Sequence, residues 1–213
     1  MDIADLLPEL LVDAPECPDA TARAAILGAA IELCNDSLVW NEIQDPIALI
    51  DEIPTYDIDT PSQAEVVAVM GAWLPSGPLL PKTLSEIVQM YPNWQAASSP
   101  SPEYYNNVPG NSTIRVFPIP VNAQRAPMTM RVAYAPIRTA DELPDALVRA
   151  HQELLMRGAR ARLMLQPRKP WSDARLGAFN AELFAAGKVD ERIKVTHDGT
   201  PGSMTVKARE FGF

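Results

Sequence analysis

Cysteine and histidine are nearly absent from this 213-residue chain, with two of each, and glycine is sparse at ten. Cys17 and Cys34 stand outside any CxxC or His-rich spacing. They read as small buried hydrophobes, with no disulfide and no metal site. Long apolar runs are missing too: nothing approaches the ~18 residues of a membrane span. The opening Met1-Asp2-Ile3-Ala4-Asp5 is acidic where a signal peptide would be basic. The expectation is a soluble chain, intracellular when made, with no membrane partner.

Recognisable chemistry is also missing. There is no glycine-rich phosphate loop, no HExxH, no GxSxG and no repeat at solenoid spacing. His151 falls in the middle of a helical pattern and reads as a boundary residue rather than a base. His197 lies in a tail that would not preorganise it. Asp57 and Asp59 share a strand face and could in principle act as paired carboxylates, but they sit beside Pro61 in the most acidic part of the chain. Asp198-Gly199 lacks the alternating oxygen ligands of a calcium loop and reads as a turn. The expected catalytic, cofactor and metal residues are therefore none.

Basic residues are lacking in one region in particular. Residues 1–65 carry 15 acidic side chains against the single Arg23, a balance of −14, which leaves +5 for the remainder of a chain of net charge −9. Tight duplex binding is disfavoured, because affinity for nucleic acid is largely phosphate neutralisation. Such a surface would let DNA pass without sticking, and an ordinary solvated acidic face is the plainer alternative.

What is abundant is proline, 21 residues, about double the usual ~5%. Its scatter predicts a loop-rich but ordered protein. Residues 1–18 read as a helical turn and a loop. Asp19 is placed to cap a core helix over about Ala20–Trp40, with Ala22, Ile26, Ala29 and Leu33 on one face. The middle changes period. Short β-prone runs at Ile43–Ile50, Thr55–Ile58 and Glu65–Trp73 precede a Ser76-Gly77-Pro78 turn. Thr83-Leu84-Ser85-Glu86 matches a capping box opening a short helix to Tyr91. Residues 92–112, anchored only by Trp94 and Tyr104-Tyr105, leave an ordered and a mobile loop equally open. Strands follow at Thr113–Pro118 and Met128–Tyr134, the latter with Met128, Met130, Val132 and Tyr134 on one face, so the sheet should be mostly antiparallel with one wet face.

Leu143–Gln166 then reads as one long helix with a stripe of Leu147, Ala150, Leu154, Gly158, Ala161 and Leu165. Pro167–Pro170 breaks it, and Ser172 is placed to cap a second helix whose face is Leu176, Phe179, Leu183 and Ala186. Arg149, Arg157, Arg160 and Arg162 lie off or beside the first stripe. Solvation and dipole complementarity account for them, or they form a basic belt against an acidic neighbour such as the N-terminal half of another copy. The residues from Val195 to Phe213 read as an extended arm in which Met204–Arg209 alternates like a strand and Phe211 and Phe213 offer anchors. The fold class is thus α+β: a helical bundle of the N-terminal helix and two C-terminal helices (about 1–42 and 141–194), a β-rich insertion (about 43–140), and the arm 195–213.

In their order and spacing, Leu38-Val39-Trp40, Tyr56-Asp57-Ile58, Arg115-Val116-Phe117-Pro118-Ile119-Pro120, Gly158-Ala159-Arg160-Ala161-Arg162-Leu163 and Pro170-Trp171-Ser172-Asp173 resemble the head-to-tail adaptor (connector) proteins of tailed bacteriophages, over roughly residues 9–192. The resemblance implies a single adaptor domain over 1–194 and a ring, usually about twelve-fold, beneath the portal protein in the virion neck. Genomic DNA would pass through its lumen and a tail or nozzle protein would follow below. It also implies portal docking through the C-terminal extension, which by position puts Val195, Met204, Val206, Phe211 and Phe213 forward as docking residues. A stopper or tail-completion ring is the nearest alternative. An intracellular hydrolase using Asp57 and Asp59 is a weaker one, as is a nucleic-acid-binding packaging protein.

Overall fold

The computed structural model describes residues 1–108 and 110–197. A 3-10 turn, Ile3–Leu6, runs into α1 (Leu7–Leu11), and Pro18 opens α2 (Asp19–Ser37). Asp19 therefore does not cap α2. It occupies the first turn, where its charge favours the helix dipole, while Pro18 takes the cap position with no side-chain bond. Leu38 ends α2 in a left-handed conformation, φ 57°, and its own carbonyl is held by the Asn41 side chain at 2.7 Å.

The chain then builds short strands β1 (Asn41–Ile43), β2 (Ile47–Ala48) and β3 (Thr55–Asp57), the long β4 (Ala64–Leu74), and β5 (Gly77–Pro81). Thr83 and Glu86 form the expected capping box at the start of α3 (Leu84–Met90). Residues 92–112 carry β6 (Ser98–Ser99) and β7 (Tyr104–Asn106), followed by β8 (Thr113–Phe117), β9 (Ile119–Pro120) and β10 (Pro127–Pro136). An eight-stranded sheet runs β1-β10-β4-β5-β7-β8-β3, with β2 also on β10. It is antiparallel except at β5–β7, and the separate β6–β9 pair is parallel. Residues 92–112 had shown no strand pattern because β7 is only three residues long. Trp94 fixes part of this segment: its ring packs on that of Phe117 with centroids 5.9 Å apart, and the Arg115 guanidinium lies against both, 4.8 and 4.9 Å from the two centroids.

α4 (Asp145–Met164) and α5 (Ala174–Thr196) complete the fold. Their packing departs from the sequence expectation in three ways. Of the stripe Leu147, Ala150, Leu154, Gly158, Ala161, Leu165, Leu154, Gly158 and Leu165 meet α5 while Leu147 packs on the sheet, and Ala150 and Leu165 remain exposed. The deeper side is Val148, Leu155, Met156, Ala159 and Leu163, which packs with α1 and α2. Second, Asp173 caps α5 through the backbone amides of Arg175 (3.1 Å) and Leu176 (2.9 Å), whereas the Ser172 hydroxyl donates to the Gln166 carbonyl and closes the inter-helix turn. Third, α5 buries Gly177, Asn180 and Phe184, so the predicted Leu176, Phe179, Leu183, Ala186 face points outward.

Two apolar clusters result. One joins α1, α2, α4 and Phe184 of α5. The other lies on the sheet, with Trp40, Tyr56, Ile114, Val116, Met128, Met130, Val132 and Tyr134. Cys34 of α2 and Leu147 of α4 belong to the sheet cluster, so both helices tie the layers together.

Candidate interaction surfaces

The arginines singled out on α4 do not form one free array. Arg149 is 80% exposed and lies 3.8 Å from Asp145 one turn before it, and Arg157 pairs with Glu153 in the same way. Arg160 reaches Glu9 (3.5 Å) and Asp13 (2.6 Å), and Arg162 reaches Glu32 (2.6 Å) across Gly28. Lys188 of α5 adds a further link: its ammonium sits between Glu32 and Asp36 at 2.5 Å each, with its side chain only 12% exposed. Burial works against its charge, and the bonds to Asp36 and Glu32 outweigh that, holding its pKa above the ordinary lysine value. Much of the basic surplus of the C-terminal part thus neutralises acidic helices of the same chain.

Val195 is not in an extended arm. It is half-buried in the last turn of α5 and lines a cavity of about 430 Å³ with Leu38, Val69 and Trp73. Met204, Val206, Phe211 and Phe213, like Asp198-Gly199, lie outside the described residues.

His151 interrupts α4 with non-helical angles (φ −129°, ψ 18°) and faces Glu191 of α5 at 3.8 Å. Burial lowers its pKa, with Glu191 opposing and Lys194 adding to the effect. His197 is the exposed C-cap of α5. Asp57 and Asp59 are both exposed, and the Asp59 backbone carbonyl accepts from Tyr134 Oη at 2.9 Å. Cys17 and Cys34 are free and buried, and burial pushes the Cys34 thiol up to about 12. Among the described residues no group of His, Cys, Asp and Glu could hold a metal, and no helix is long and apolar enough to cross a membrane.

Two surfaces went unpredicted. The outer face of α5 is a ridge in which Phe179 is 55% and Ile193 53% exposed, with exposed Leu176 one turn before Phe179 and half-buried Leu183 one turn after it. The outer face of α2 is the opposite shape, a groove of about 470 Å³ over Ala24, Leu27, Gly28 and Ile31, with Arg138 on its wall. Periodicity detected the ridge but not its direction. The small residues Ala24 and Gly28 were the available signal for the groove. Exposed apolar side chains gathered on one face are candidates for contact with a partner.

No curated protein matches the chain. The family model described as SU10 adaptor protein matches residues 1–206, which takes in both layers of the fold and every helix described above. On that match the chain belongs to the SU10 adaptor protein family, a phage adaptor family.

Proposed function

We propose that the protein is a structural component of the phage neck, a head-to-tail adaptor that assembles as a ring beneath the portal and joins the capsid to the tail. The family match over residues 1–206 carries this reading. A ring needs two different faces that meet on neighbouring copies, and the ridge on α5 and the groove on α2 are two such unlike faces. The lumen would carry DNA past without gripping it. The segment from β1 to Asp59, just past β3, is suited to line it, since Glu42, Asp45, Asp51, Glu52, Asp57 and Asp59 fall there with no Lys or Arg between them, and like charge repels phosphate. The residues after α5, including Phe211 and Phe213, would dock on the portal, with Val195 anchoring their root.

Negative-stain electron microscopy of the protein with the portal encoded beside it tests this. The full chain should add a ring to the portal, and a chain ending at His197 should fold but fail to add one. A truncated chain that docks normally removes the tail from the mechanism. Rings that bind the first tail component and never the portal would make the protein a stopper instead.

A further inference from the structure

Within the apolar stripe of α5 and on the wall of the α2 groove lies one charge each with no ion-pair partner among the described residues, and the two are opposite; Arg175 and Glu182 flank the α5 stripe. On α5 the stripe Leu176, Phe179, Leu183, Ala186, Ile193 keeps a seven-residue spacing that Asp190 shares. Asp190 is exposed and makes no ion pair among the described residues; it lies on the rim of the cavity between α4 and α5 beside Lys194, whose ammonium is bonded to Glu191 at 2.6 Å. On the wall of the α2 groove, Arg138 is exposed and likewise unpaired, since the neighbouring acids Glu32 and Asp36 are taken by Arg162 and Lys188. A ridge of large apolar residues and a groove with Ala24, Leu27 and Ile31 on its floor have complementary shapes. A single polar residue within an apolar helix seam fixes register between partners, and opposite charges set into the two faces select one pairing over others.

We infer that the α5 ridge of one copy of this chain seats in the α2 groove of the next, with Asp190 of one copy against Arg138 of the other. The contact joins different faces, so it propagates in one direction around an assembly and leaves each copy with one face of each kind to offer. Phe179 supplies the bulky anchor and Ala24 gives it room, while Gly28 lies under the Arg162 guanidinium. The inference rests on the ring reading above, and names the surfaces that would build the ring.

The test uses the full chain with Asp190→Arg, Arg138→Glu, both together, and Phe179→Ser. All three positions are exposed, so circular dichroism and thermal unfolding should match the parent. Mass photometry gives the concentration of half-assembly, and electron microscopy scores rings on the portal. Each single charge reversal should raise the half-assembly concentration at least tenfold by setting like charges together, the double reversal should restore most of it, and Phe179→Ser should weaken assembly without rescue. If the parent forms rings and the single variants form them equally well, or the double variant recovers nothing, the contact is wrong while the ring stands. A parent chain that makes no ring, alone or on the portal, overturns the ring reading and this contact with it.

Discussion

At Gly158 three helices meet without room for one more carbon. A Cβ built there would lie 2.8 Å from Phe184 Cζ and 2.9 Å from Ala29 Cβ, and both neighbours are buried. Gly158→Val should therefore destabilise the protein by about 2 kcal/mol or more, despite better helix propensity, because overpacking of a closed core outweighs it. Chemical denaturation at constant slope measures this, and a neutral result would mean that α5 shifts away at little cost. Phe184 is the residue that explains the glycine, yet nothing in the sequence separated it from Phe179. Both are phenylalanines on one helix, and only the cross-chain neighbours Ala29 and Gly158 decide which one goes inside. The Thr83–Glu86 capping box was legible because its partners are three residues apart. Its bonds are made as read: Thr83 Oγ1 accepts from the Glu86 amide at 3.3 Å, and the Thr83 amide donates to Glu86 at 2.8 Å.

Helices α4 and α5 show how far an element can be read alone. Their lengths and the break between them follow from Pro167 and Pro170 and from the apolar repeats. Which face is buried does not, because α5 turns inward a face bearing Lys188 and Asn180. Lys188 is accepted there by Glu32 and Asp36, more than 150 residues away in sequence, and Asn180 returns a hydrogen bond to the Leu176 carbonyl at 2.9 Å. The loss of helical angles at His151 was equally unreadable. It places an imidazole against α5 among Glu191, Lys194, Asp190, Glu153 and Arg157. Burial depresses the folded-state pKa of His151 below its ordinary 6.5. The unfolded chain therefore takes up the proton more readily, so the stabilisation is complete above about pH 6.5 and declines as the pH falls below it. Thermal unfolding followed from pH 7.5 to 5 should show this slope, and His151→Gln should flatten it. An unchanged slope in the variant would assign the effect to the carboxylates.

Across the whole molecule, the two apolar clusters are joined through α2 and α4 and not through a linker. Ile26 and Leu33 of α2 sit in the helical cluster while Cys34, the next residue after Leu33, sits in that of the sheet. Such sharing predicts one cooperative transition. Helical ellipticity and the tryptophan fluorescence of a Trp171→Phe variant should coincide on denaturation, since Trp40, Trp73 and Trp94 belong to the β-rich part and Trp171 packs on the helical cluster. Separate midpoints would show that the layers unfold independently. The same connectivity has a consequence for synthesis. The core face of α2 is complete at residue 37, but its partners Leu155, Ala159 and Phe184 are made about 120 to 150 residues later, after the whole sheet. At ~5–20 residues per second, the ribosome would leave that apolar face uncovered for roughly 6–30 s. Every folded copy has thus passed through an interval in which its α2 is open to chaperones, and translation speed over the β-rich segment becomes a determinant of how many copies reach the folded state.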